Sequence, residues 1–174
     1  LMPTLIEAIN MLDEGYSKEE IDNSFTDFGM PMGPIELADS VGLDICISVA
    51  DMLAPTLGIS VPENLNKLIE NDHLGRKSGQ GFYQYDRHNK RITKSLESDY
   101  SDTELLQKRL ILRLINECVA CLAEGIVDDA DLLDAGMVFG TGFAPFRGGP
   151  MKYTKKQGIN TLNQQLQQLS TAIG

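Results

Sequence analysis

Few side chains in this sequence have a type and spacing that do chemistry, and each is limited by its neighbours. Cys118-x-x-Cys121 has the spacing of a redox or zinc motif. It lies inside Leu114-Ile115-Asn116-Glu117-Cys118-Val119-Ala120-Cys121-Leu122, whose apolar residues recur at helical spacing. No second Cys or His pair completes a tetrahedral site, so two small buried hydrophobes and no metal are expected. Histidine is the usual general base near neutral pH. His73 and His88 each fall in a polar loop, where a solvated surface position is expected. Glu7 and Glu117 sit at matched places on two helix faces. Two carboxylates can do acid–base work, but a repeated structural role fits their spacing better. The glycine-rich run Gly75-Arg76-Lys77-Ser78-Gly79-Gln80-Gly81 precedes aromatic residues and opens no helix, so it is not a dinucleotide-binding loop.

The elements that must position these residues read as helices. Leu1, Leu5, Ile9 and Leu12 form one helix face, which Gly15 ends. Ser17-Lys18-Glu19-Glu20 is a capping box for a helix running through Ile21 and Phe25 to Phe28. Gly29-Met30-Pro31-Met32-Gly33-Pro34 is a breaker, and Pro34 suits the first turn of the next helix. After Gly42 a further helix spans 43–53, with Asp44 as a candidate cap, and 55–62 reads as a loop. A short helix over 63–71 turns Leu65, Leu68 and Ile69 inward. A small hairpin follows, with Phe82, Tyr83 and Tyr85 pinning it to the helices. The polar stretch 95–102 is the best module boundary. Beyond it come a long helix over 104–124, a stop at Gly125, a helix capped by Asp128 or Asp129, a second glycine-proline break over 140–150, and an amphipathic pair over 151–173.

The two halves follow the same order. Residues 7–15 align with 117–125, Ile21-Asp22 with Leu133-Asp134, the first glycine-proline elbow with the second, and Val41-Gly42-Leu43-Asp44 with Gln157-Gly158-Ile159-Asn160. A tandem duplication is therefore expected, with a first module over 1–97 and a second, diverged one over 98–174. The second lacks a match to the hairpin. An elbow of glycine and proline serves either a tight helical corner or bare backbone lining a pocket.

Composition narrows the function classes. The chain has 174 residues, is 42% hydrophobic and 23% charged, and carries a formal net charge of −10. That acidity disfavours nucleic acid and anionic membranes. No apolar run approaches the roughly 18 residues that span a bilayer. Three cysteines without framework spacing point to a reducing compartment. Leu1 is not an initiator Met, and the start reads as excised from a longer protein.

Three segments carry a family resemblance. Residues 30–44, Met-Pro-Met-Gly-Pro-Ile-Glu-Leu-Ala-Asp-Ser-Val-Gly-Leu-Asp, resemble the signature of the 3-hydroxyacyl-CoA dehydrogenase C-terminal domain. Residues 74–83, Leu-Gly-Arg-Lys-Ser-Gly-Gln-Gly-Phe-Tyr, resemble its terminal motif, and residues 1–8 its opening helix. The second half resembles the second such domain of multifunctional fatty-acid oxidation enzymes, in the manner of a fatty-acid oxidation complex alpha subunit. The resemblance implies an all-α fold like the C-terminal domain of 6-phosphogluconate dehydrogenase, here duplicated with a short hairpin between the copies. It also implies a parent enzyme that oxidises the 3-hydroxyl of an acyl-CoA with NAD, bound by a Rossmann domain that carries the catalytic His, with an enoyl-CoA hydratase domain before it. This chain has neither the fingerprint nor that His, so no catalytic residue and no bound NAD are expected in it. By resemblance, Met2, Met32, Gly33 and Pro34 face the acyl end of the substrate, while Arg76 and Lys77 are weaker candidates for the CoA phosphates and serve equally as solvated loop cations. Arg147 is expected to join the modules by pairing with an acid. Expected partners are acyl-CoA, the parent's Rossmann domain and a thiolase subunit, in a bacterial cytoplasm. The competing reading is a non-catalytic helical dimerisation or scaffold module.

Overall fold

The computed structural model describes residues 1–57, 61–92 and 103–173. Among them are nine α-helices: α1 (Met2–Asp13), α2 (Lys18–Phe28), α3 (Pro34–Val41), α4 (Leu43–Leu57), α5 (Glu63–Glu70), α6 (Thr103–Ala123), α7 (Ala130–Thr141), α8 (Pro150–Gln157) and α9 (Ile159–Ile173). The all-α expectation holds.

Local sequence explains most boundaries. Leu5 and Ile9 of α1 are buried, and Gly15 turns the chain out of it at φ +101°. Ser17 caps α2 reciprocally: its hydroxyl accepts from the Glu20 N–H at 3.2 Å, and its own N–H donates to the Glu20 carboxylate at 3.0 Å. Ile21, Phe25 and Phe28 then share the inward face. Asp129 caps α7 by accepting from the Leu132 N–H at 2.8 Å.

Several expectations need correction. The helix placed over 43–53 continues to Leu57 with Pro55 inside it, where 55–62 read as a loop. A proline in the last turn removes only one hydrogen bond, so the helix tolerates it there, with Pro55 and Thr56 exposed. Asp44 lies in the first turn of α4, and its carboxylate meets Lys77. The hairpin is thinner than a pair of strands: a 3-10 turn at Arg76–Ser78 is followed by isolated antiparallel bridges Gly75–Gln80, Gln80–Gln84 and Tyr85–Arg91. Its short, interrupted pairing depends on side-chain anchors. The linker 95–102, and with it the boundary at 97/98, lies outside the described residues.

The two halves share one core. The long helix α6 packs along α1 and α2, so Leu106, Leu110 and Leu114 join Leu5, Ile9, Phe25 and Phe28 in a single buried cluster. Each such side chain contributes about 1.5–3 kcal/mol by leaving water. Arg109 of α6 is the exception on this face. It is only 5% exposed, and its guanidinium donates to Glu7 at 2.6 and 2.9 Å and to Glu14 at 2.5 and 2.8 Å. Arg147 does not pair with an acid as expected. Its Nε donates to the Phe28 carbonyl at 2.8 Å, and its guanidinium lies 4.0 Å from the Phe28 ring centroid. A carbonyl and an electron-rich ring face are enough to hold it.

Matched geometry recurs in the two halves. Gly42 after α3 and Gly158 after α8 adopt φ/ψ of 105°/126° and 88°/128°. Gly29 after α2 and Gly142 after α7 are both left-handed C-caps. Asp22 of α2 and Asp134 of α7 each accept two N–H groups from the first turn of the helix beyond the elbow.

Candidate functional site

The first elbow is organised around two buried carboxylates. Asp22 receives the N–H of Ile35 at 2.7 Å and of Glu36 at 3.2 Å, which are orphan donors at the start of α3. It also accepts the Tyr83 hydroxyl at 2.9 Å, with Arg91 at 3.6 Å. Asp39, near the end of α3, accepts the N–H of Phe82 and of Tyr83 and the Tyr85 hydroxyl, each at 2.9 Å. The two acids thus clamp the aromatic segment onto α2 and α3, and Lys18 closes the clamp by donating to the Phe82 carbonyl at 2.6 Å. Burial pushes the Asp22 carboxyl up to about 7, against the pull of its hydrogen bonds and Arg91. Burial raises Asp39 too, and it raises the phenols of Tyr83 and Tyr85, which also face these carboxylates.

Two glycines permit this approach. A Cβ on Gly33 would fall on the Asp22 side chain, and one on Gly81 on the Asp39 carboxylate. The bare backbone of the elbow therefore makes room for Asp22.

The sequence-derived site residues have different surroundings. Gly33 and Pro34 are buried behind Asp22, Met32 is partly exposed on the elbow, and Met2 is partly buried against the core at the start of α1. The Ser40 hydroxyl lies 3.7 Å from the Met32 sulfur, at the outer edge of a weak hydrogen bond. Arg76 donates to Glu36 at 3.0 Å and lies over the Tyr85 ring, while Lys77 meets the Asp44 carboxylate at 2.5 and 2.6 Å. Both cations thus engage carboxylates of their own chain. Arg91 joins Arg76 on Glu36 at 2.9 Å. His73 is partly buried and His88 exposed. The Cys46 and Cys118 thiols are pushed by burial to about 11, which keeps them protonated and unreactive near neutral pH. No group of three or more His, Cys, Asp or Glu among the described residues is placed to hold a metal.

The sequence reading missed Asp22, Asp39 and Arg109 as organising residues. Asp22 had a signal in its alignment with Asp134. Arg109 lay hidden in the apolar run of α6.

Comparison with known proteins decides the family. Residues 1–85 match the family model described as 3-hydroxyacyl-CoA dehydrogenase, C-terminal domain. The chain carries a domain of this family. Over 97% of its length it is 36% identical to the fatty acid oxidation complex subunit alpha of Shewanella baltica, and over 100% it is 36% identical to that of Idiomarina loihiensis. It spans only 26% of either relative. The fold is similar to that of part of 3-hydroxybutyryl-CoA dehydrogenase from Escherichia coli, with a TM-score of 0.75 at 18% identity, covering 99% of this chain and 54% of that one. The dehydrogenase part of multifunctional enzyme 1 from C. elegans is similar over 72% of this chain and 33% of its own, with a TM-score of 0.53 at 22% identity. The 3-hydroxyacyl-CoA dehydrogenase C-terminal domain thus occupies the first half, and the similarity to the alpha subunits runs on through the second. No helix among the described residues is long and apolar enough to cross a membrane.

Proposed function

We propose that this chain is the helical part of an NAD-dependent 3-hydroxyacyl-CoA dehydrogenase, in a multifunctional fatty-acid oxidation protein of the bacterial cytoplasm. One observation carries this reading: the likeness to fatty acid oxidation complex alpha subunits runs through both halves. In this reading 1–97 and 98–174 are two copies of one module, supported by the matched roles of Asp22 and Asp134. The first copy forms a wall of the acyl-CoA site, with Met2, Met32, Gly33 and Pro34 toward the acyl end. Met32, partly exposed where Gly33 and Pro34 are buried and Met2 packs against the core, is the best placed of these for contact. Arg76 and Lys77 approach the CoA phosphates only by exchanging their carboxylate partners. A separate domain of the parent binds NAD and supplies the base, and hydratase and thiolase activities belong to the wider assembly.

The 174-residue chain mixed with NAD and a 3-hydroxyacyl-CoA is expected to give no NADH absorbance above a buffer control. Turnover above that control overturns the assignment of the chemistry to another domain. In the parent enzyme, Met32→Ala is expected to raise KM for the acyl-CoA several-fold, on the scale of about 1 kcal/mol of lost apolar contact. An unchanged KM removes Met32 from the acyl site.

A further inference from the structure

The two halves differ most in what covers the same face. In the first half α5 packs against α1 and α4, with Leu65 fully buried and Leu68 and Ile69 partly so. Leu5 and Ile9 of α1 and Leu43 of α4 are 2%, 1% and 0% exposed. In the second half the matching helices α6, α8 and α9 enclose an open apolar groove of about 1150 Å³. Ile115, Val119 and Ile159 occupy the places of Leu5, Ile9 and Leu43, and the last two are 47% and 66% exposed. Leu112, Leu122, Met151, Leu162 and Leu166 add to the apolar lining.

We propose that this groove is the seat of a short amphipathic helix that the same polypeptide supplies beyond α9. The inference rests on the reading of the halves as two copies. Sequence order identifies the occupant: α5 follows α4 after a short connection, and α9 is the counterpart of α4. The helix required has the pattern of α5, apolar side chains at i, i+3 and i+4, as Leu65, Leu68 and Ile69 have. Charge adds a second requirement. Lys155 lines the groove at the position of Asp39, and Lys152 and Lys156 share its helix. Where Asp39 receives N–H and O–H donors, Lys155 calls for an acceptor, so the seated segment brings a carboxylate to that edge. A helix of this kind buries the exposed faces of Val119 and Ile159 and leaves the outer face of α9 in water.

Single Val119→Cys and Ile159→Cys variants test this, in a background where half-buried Cys121 is serine and the native thiols at 46 and 118 stay buried. Alkylation is measured in the 174-residue chain and in the full-length protein, each relative to its unfolded form. The proposal expects alkylation at least about tenfold slower in the full-length protein at both positions. It also expects a photoreactive side chain at 119 to cross-link, within one molecule, to residues after Gly174. Equal alkylation rates overturn the proposal, as do cross-links to a second copy, another protein or an upstream domain. The two-copy reading fails separately, if an experimental structure shows that α6, α8 and α9 do not superpose on α1, α3 and α4.

Discussion

Asp22 and Asp134 do the same local job in different surroundings. Each sits on the helix before a glycine-proline elbow and holds the first turn of the helix after it. Around Asp22 the first half adds the Tyr83 hydroxyl and Arg91, and a second buried acid, Asp39, fixes the rest of the aromatic segment. Around Asp134, among the described residues, stand the two backbone donors of Met151 and Lys152. In the two-copy reading the place of Asp39 is taken by Lys155, which cannot accept the same donors. One backbone solution thus serves two ends. In the first half it anchors a packed polar network; in the second it sets the angle between two helices and leaves a face open.

The sharpest way to break this comparison is to remove each carboxylate in turn. Asp22→Ala strands two backbone N–H groups and a buried phenol, and is expected to cost about 3–4 kcal/mol. Asp134→Ala strands two N–H groups nearer to solvent, for about 1–2 kcal/mol. Urea unfolding of both variants checks this, and equal losses would dissolve the distinction between the halves. A pH series refines it. The folded-state value of Asp22, about 7, lies above its unfolded one, so protonation favours the folded chain. That contribution is fully present below about pH 4 and is lost as pH rises through about 7. Wild type is therefore expected to lose on the order of 1–3 kcal/mol between pH 4 and pH 8, a slope that Asp22→Asn flattens.

The joint between the halves gives the next largest effect. Arg109→Ala leaves Glu7 and Glu14 facing each other without their shared cation, and is expected to cost about 2–3 kcal/mol. Arg109→Lys recovers the charge but not the fork that reaches both acids, so it recovers only part. The Arg109 hydrogen bond holds Glu14 below the usual carboxylate range. Its stability contribution is present above about pH 4.5 and fades as pH falls through the folded value, the reverse of Asp22. Unfolding curves at pH 3 and pH 6 separate the two: Arg109→Ala should lose most relative to wild type at pH 6.

Local signals in the sequence were legible, and long-range partners were not. Ser17 with Glu20, Gly15, Gly29 and Pro34 each act within one helical turn, so spacing alone placed them. The aromatic pair Tyr83-x-Tyr85 could be read as pins, but not which acid each reaches, because those partners lie 61 and 46 residues away. Arg109 pairs with Glu7 across 102 residues from inside a stretch that reads as hydrophobic face. Pro55 misled because proline punctuates sequence strongly but is tolerated in a last turn. The glycine-proline elbow read as either a tight helical corner or bare backbone lining a pocket, and nothing in its spacing announced that Asp22, eleven residues earlier, packs where a Cβ on Gly33 would fall.

The smallest effect discriminates between two loop cations. Lys77 and Asp44 are an exposed pair, with side chains 47% and 43% accessible, and such pairs contribute under about 0.5 kcal/mol. Arg76 is less exposed, shares Glu36 with Arg91 and covers the Tyr85 ring, so it is built into the clamp. Lys77→Ala should therefore leave the melting temperature within about 1–2 °C of wild type. Arg76→Ala should lower it by several degrees, about 1 kcal/mol in this size range. If Lys77 exchanges Asp44 for a CoA phosphate, Lys77→Ala also weakens acyl-CoA binding by the parent enzyme several-fold, and the loss shrinks as salt rises. Calorimetric titration with an acyl-CoA and with the matching acyl-pantetheine, which lacks the nucleotide phosphates, isolates that contact. A Lys77→Ala effect equal for both ligands would show that the lysine serves the loop and not the phosphates, leaving the first half with an apolar role at the acyl end alone.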